Sequence, residues 1–101
     1  MKIEGEYVNG EIWNGKGKEF YNDGTLRFEG EYLNGERNGK GKEYNNDGEL
    51  KFEGEYLNGK KHGEGKEYYK DGILKFEGEY LNGKKWNGII YNPSDNMEFD
   101  I

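Results

Sequence analysis

Paired carboxylates are the recurrent grouping in this chain that could do acid–base chemistry: Glu53 with Glu55 and Glu77 with Glu79, each pair two residues apart. On an extended strand that spacing puts both groups on one face, and two carboxylates flanking a glycosidic bond are what glycoside hydrolysis requires. The pair recurs, however, in successive copies of one phrase and alternates with lysines, whereas a catalytic constellation is a single arrangement. These carboxylates therefore read as the solvated face of a strand. His62 is the sole histidine and by itself makes neither a His-based metal site nor a general-base relay. It stands where the preceding copy has Asn38, opposite Glu55, as a surface pair worth at most about 1 kcal/mol. The Asp-Gly turns lack the D-x-D-x-D-G ligand order of a calcium loop. No cysteine is present, so there is no thiolate nucleophile, disulfide framework or zinc knuckle. The expectation is a non-enzyme with no catalytic residue, no metal and no cofactor.

The elements that carry these side chains are set by repetition. FEGEYLNG occurs at Phe28–Gly35, Phe52–Gly59 and Phe76–Gly83, and as IEGEYVNG at Ile3–Gly10. The three identical copies start 24 residues apart, and a fixed internal period outranks local propensity in choosing an architecture. The first copy is one residue longer, and the last, KKWNG, reads as carrying the same extra residue, with Trp13 and Trp86 at the two sites. Atypical terminal units are expected of a repeat array, where they cap the ends. The repeats run at about 3–27, 28–51, 52–75 and 76–91, with a C-terminal cap at 92–101, forming one domain.

Composition alone points towards disorder: Leu, Ile, Val and Phe contribute 18 of 101 residues and the net charge is −6. Two observations oppose it. Aromatic residues make up 16%, and they recur at fixed offsets from glycines. Eighteen glycines with no alanine also disfavour helix, since glycine costs about 1 kcal/mol relative to alanine within one. The acidic pI of about 4.9 argues against nucleic acid and anionic lipid as partners. No window has the roughly 18 apolar residues of a membrane span or the apolar core of a signal peptide, so a soluble, cytoplasmic protein is expected.

Asn-Gly is the strongest short-range signal for a two-residue type I′ hairpin. It occurs at Asn9-Gly10, Asn34-Gly35, Asn58-Gly59 and Asn82-Gly83, while Asp23-Gly24, Asp47-Gly48 and Asp71-Gly72 read as the alternate turns. The chain is thus expected to be all-β: one elongated, twisted antiparallel meander of eight strands, at 2–8, 11–21, 25–33, 36–45, 49–57, 60–69, 73–81 and 84–91. Pro93-Ser94-Asp95-Asn96 reads as a turn, with Met97, Phe99 and Ile101 alternating as a short strand over the exposed edge. Counting from two-residue loops, Tyr56 faces Lys61, Gly54 faces Gly63, Phe52 faces Gly65 and Tyr69 faces Leu74. One face then collects Leu50, Phe52, Gly54, Tyr56, Gly63, Gly65, Tyr69, Leu74, Phe76, Gly78 and Tyr80, with rings lying over bare glycine backbone. The charged residues, with Leu57, Tyr68 and Leu81, take the other face.

Phe52-Glu-Gly-Glu-Tyr-Leu-Asn-Gly59, followed by Gly63-Glu-Gly65 and Asp71-Gly72, resembles the MORN repeat, and most closely its bacterial variant. The resemblance covers residues 3 to about 91. It departs in its 24-residue period, in having Tyr at 32, 56 and 80 where Trp is usual, and in the tail. It implies an elongated antiparallel sheet that serves as a scaffold, a dimerisation element or a groove for a partner peptide. The expected function is a non-catalytic scaffold for protein–protein interaction or self-association, through the aromatic and glycine face or the sheet edges. Tyr32, Tyr56, Tyr80, Phe28, Phe52, Phe76, Trp13 and Trp86 are the candidate binding residues, weighed against a core role for the rings and an end-cap role for the tryptophans. A protein or peptide partner or a homodimer is expected. The alternatives are a carbohydrate-binding repeat module, whose relatives carry paired Trp in every unit, and a toxin-neutralising immunity protein.

Overall fold

A computed structural model describes the backbone of residues 6–8, 11–92 and 97–100, and the side chains of residues 14–92. The strands are β1 (Glu6–Val8), β2 (Glu11–Phe20), β3 (Leu26–Leu33), β4 (Glu36–Tyr44), β5 (Leu50–Leu57), β6 (Lys60–Tyr68), β7 (Leu74–Leu81), β8 (Lys84–Asn92) and β9 (Met97–Asp100). They pair in chain order, each antiparallel to the next, in one open sheet, about one strand spacing per step. The molecule measures 49 × 28 × 15 Å. Among the described residues no helix is long and apolar enough to cross a membrane. The Asn9-Gly10 turn, the turn at 93–96 and Ile101 lie outside the described residues, while Met97 to Asp100 pair with β8 as the last strand.

The two kinds of turn differ, and the difference sets the register. Asn34, Asn58 and Asn82 have φ near +50° and the following glycines +80° to +90°, as a type I′ turn demands at both central positions. Successive turns of this kind are tied together, Gly59 N–H donating to the Arg37 carbonyl and Gly83 N–H to that of Lys61. At the Asp-Gly turns only the glycine has positive φ. Gly72 N–H donates to the Tyr69 carbonyl and Tyr69 N–H to that of Ile73, so the loop has three residues, a type I turn completed by a left-handed glycine. The side chain of Asp71 accepts from Ile73 N–H, as Asp23 does from Thr25 N–H.

Two bulges per repeat follow, and they correct the expected pairing. Tyr56 does face Lys61, but Gly54 faces Gly65 and Phe52 faces Glu67, because the β6 strand bulges between those pairs. On the other side Gly63 faces Tyr80, Gly65 faces Gly78 and Glu67 faces Phe76, while Leu74 pairs with Tyr68 instead of Tyr69. A one-residue bulge moves everything beyond it to the opposite face. Leu50 and Leu74 accordingly leave the ring face and join Tyr44 and Tyr68 on the charged one. The last copy is also corrected. Gly88, not a longer insert, pairs with Gly78, and Tyr80 faces Lys85, so β8 crosses its bulge with one residue fewer than β6 does.

The core is one row of rings. Phe28, Phe52 and Phe76 are essentially inaccessible, and Tyr32, Tyr56 and Tyr80 are buried beside them. Each ring meets the next edge to face at 5.3–5.8 Å, the geometry aromatic quadrupoles favour. A methyl carbon on Gly65 would lie 2.7 Å from the Phe52 ring and 2.9 Å from that of Tyr80: the rings occupy the space that a side chain would fill. At the C-terminal end Ile90 takes the place held by glutamate in earlier repeats, packing against this row.

Candidate functional site

A seam of cations covers the ring row. Arg37 lies 4.0 Å over the Phe28 ring centre, Lys61 4.2 Å over Phe52 and Lys85 5.0 Å over Phe76. Their counter-ions are Glu19, Glu43 and Glu67, each opposite a phenylalanine in the pairing. Arg37 holds Glu19 through Nε at 3.0 Å and Nη2 at 3.1 Å, and Glu43 through Nη1 at 3.1 Å; Lys85 lies 2.8 Å from Glu67. The Tyr32 hydroxyl donates to Glu19 and that of Tyr56 to Glu43, the latter at 2.6 Å. The Tyr80 hydroxyl lies beside Glu67 without a well-formed hydrogen bond, and that carboxylate is held by Lys85 at 2.8 Å and by Lys61 at 3.9 Å. Neither the glutamates nor the cations were singled out in the sequence, although both recur every 24 residues.

These contacts shift proton affinities in opposite directions. Burial alone would raise the Glu19 carboxyl, but the Arg37 and Tyr32 hydrogen bonds carry it below the ordinary value of 4.5; Glu67 is lowered likewise by Lys85. Burial, reinforced by the neighbouring carboxylates, raises the hydroxyls of Tyr32, Tyr56 and Tyr80 far above 10.0. On the other face it pushes those of Tyr44 and Tyr68 up to about 12. A folded-state pKa above the unfolded one means that the tyrosine contribution to stability is complete below pH 10.0 and is lost as pH rises towards the folded values. The glutamate contribution is complete above pH 4.5 and lost as pH falls below it. The expected titration by tyrosinate absorbance shows these five tyrosines silent near pH 10.0 and appearing together with loss of the sheet signal in circular dichroism. Independent titration of all nine tyrosines near pH 10.0 in a folded chain would contradict this.

Opposite the rings, two charged bands flank the glycine row. One reads Lys18, Glu29, Lys42, Glu53, Lys66, Glu77, Ile89 across β2 to β8, and the other pairs Lys16 with Glu31, Lys40 with Glu55 and Glu64 with Glu79. Together they line an open groove of about 1480 Å³ running across the strands. The glycines form its floor, since their missing side chains belong to the ring side. The carboxylates are partly occupied: Glu29, Glu53 and Glu77 accept from the hydroxyls of Tyr44, Tyr68 and Tyr91 at 2.6–2.7 Å. Glu31 and Glu55 accept the backbone N–H of Lys40 and Glu64, each at 2.7 Å, closing the bulges. The ion pairs among the described residues engage Arg37, Lys61, Lys70 and Lys85, leaving the groove lysines without one. Leu33, Leu57 and Leu81, each about half exposed, form a rim beside the Asn-Gly turns.

The residues singled out in the sequence divide accordingly. The six Phe and Tyr rings come together, but under the cation seam and out of reach of solvent. Trp13 lies in β2 with its side chain outside the described residues. Trp86 is 56% exposed, so it anchors no core. His62 does not pair with Glu55: its Nδ1 accepts from Asn82 N–H at 3.3 Å, as the Asn14 and Asn38 side chains do from Asn34 and Asn58 N–H. Among the described residues no His, Cys, Asp or Glu cluster could hold a metal ion.

Comparison with known families matches a model described as MORN repeat to residues 28–49 and 52–73, and one described as MORN repeat variant to residues 13–34. No curated protein matches the chain.

Proposed function

The chain belongs to the MORN repeat family, whose members are generally non-catalytic interaction repeats, and on that premise we propose that it is a scaffold that binds a protein or peptide segment in the charged groove. The observation that carries this reading is the contrast between the two faces. On the ring face the three cations over the phenylalanines, Arg37, Lys61 and Lys85, are each held by a glutamate, and the rings are covered. In the groove the lysines have no ion-pair partner among the described residues, the glycine row leaves the backbone open, and the leucine rim adds apolar area. Charges that a fold does not use internally are free to choose a partner and to steer its approach. The burial of the rings also weighs against a carbohydrate module, since stacking on sugars needs an open ring face.

Peptides selected from a random display library against the chain test this. Amide shifts in the nuclear magnetic resonance spectrum on adding a selected peptide should concentrate at Gly30, Gly41, Gly54 and Gly65 and their charged neighbours, and weaken with salt. Selection yielding no binder, or shifts confined to the ring face and the turns, would overturn it.

A further inference from the structure

The groove is not the same along its length, although the repeats that build it are nearly identical. Between β2 and β3 it presents Lys16, Lys18, Glu29 and Glu31, and between β4 and β5 Lys40, Lys42, Glu53 and Glu55. Both sets are charge-balanced. Between β6 and β7 the corresponding four are Glu64, Lys66, Glu77 and Glu79, because Glu64 stands where Lys16 and Lys40 stand in the earlier repeats. Glu64 faces Glu79 directly, and like charges directly opposite destabilise a sheet. Beyond them β8 adds no cation to the two bands, where it contributes Asn87, which donates to Glu79 at 3.3 Å, and Ile89; its Lys84 stands opposite Leu81 at the rim. Trp86 is exposed next to Asn87 in the chain.

Resting on the reading of the groove as the partner site, we propose that its occupant is an extended basic peptide segment, seated with a lysine or arginine against Glu64 and Glu79 at the β6–β8 end. The chemistry is that of charge complementarity. The balanced half of the groove takes either sign, whereas the β6–β8 end repels an acidic group and receives a cation. Ile89, which lines the groove at this end, accepts the aliphatic stem of such a residue, the usual way long cationic side chains bury their methylenes. Six strand spacings of about 4.8 Å from β2 to β8 accommodate about nine extended residues. The direction of the peptide is set by which end carries its cation.

The test uses two labelled nine-residue probes, one alternating Lys and Ala and the other Glu and Ala, with anisotropy for affinity and amide shifts for location. The Lys/Ala probe should bind, with shifts concentrated on β6 to β8, and the Glu/Ala probe should not. Glu64→Lys restores the lysine of the other repeats and removes a like-charge pair. It should therefore raise the midpoint of thermal unfolding while weakening the Lys/Ala probe at least tenfold. Glu36→Lys makes the same change of net charge at a turn position where other repeats carry Lys60 and Lys84, and should alter affinity less than threefold. Equal effects of the two substitutions, or unchanged affinity in Glu64→Lys, would overturn the basic-segment proposal. Binders from the display library that shift groove amides would then leave the groove reading standing, whereas their absence would remove both.

Discussion

Replacing Phe52 with alanine is expected to lower the unfolding free energy by about 3–5 kcal/mol, the range for deleting a fully buried aromatic ring. The ring is at 0% exposure and touches Tyr56 and Tyr80 edge to face at 5.7 and 5.3 Å. It fills the space over Gly54 and Gly65 and carries Lys61 above it. A one-layer sheet has no second layer that could collapse into the vacancy, so the cavity term is retained. A domain of this size has about 5–15 kcal/mol in total, and the central repeat couples both halves of the array. Urea denaturation followed by far-ultraviolet circular dichroism should show an earlier midpoint and, where the halves uncouple, a shallower slope. A loss below about 1 kcal/mol, within the range of an ordinary surface change, would show that the ring row is not what holds the sheet together.

Gly54→Val is expected to be worse, abolishing the cooperative transition or reducing stability by more than about 4 kcal/mol, the region that marks a specific steric failure. The reason is not backbone freedom. A carbon placed on Gly54 would lie 2.6 Å from the Glu64 carbonyl oxygen and 2.7 Å from Gly65 Cα, both backbone atoms that cannot move without parting β5 from β6. The control is Gly48→Ala, at a turn with φ of +83° and open space around it. That change incurs only the left-handed penalty, about 1–2 kcal/mol. Similar losses at the two sites would mean that the glycine row is conserving flexibility rather than close approach.

The same glycine row relates the two faces. On one side it admits the rings, and on the other it leaves a floor between the charged bands, so a substitution there disturbs core and groove together. Glu64 offers the opposite case, a position whose repair towards the repeat pattern is expected to stabilise the sheet and weaken the site. Local departures from an otherwise consistent pattern are where function is sought, and in a chain with near-identical copies they stand out by simple comparison.

Much of this was legible in the sequence. The Asn-Gly turns and the alternation of FEGEYL determined that Phe52 and Tyr56 share a face and that Glu53 and Glu55 take the other, because side-chain direction alternates within any strand. The period determined a repeat sheet; that rings would lie over glycine was legible too, although Phe52 covers Gly65 from a diagonal position and not from the pairing expected. What sequence did not decide was everything that depends on bulges. Whether Asp71-Gly72 closes a loop of two residues or three is a matter of φ at Asp71, and each residue added to one strand alone reverses the face of all that follow. That is why Leu50 and Leu74 changed sides; the two extra residues of the β6 bulge kept the faces but moved Phe52 from Gly65 to Glu67, and the shorter bulge of β8 showed Trp86 to be no insertion. Only the tertiary structure brought Arg37, Lys61 and Lys85 over the rings, closing the face where binding was expected. On the charged face the backbone of the glycine row, whose absent side chains would point to the ring side, is left as the floor between two charged bands.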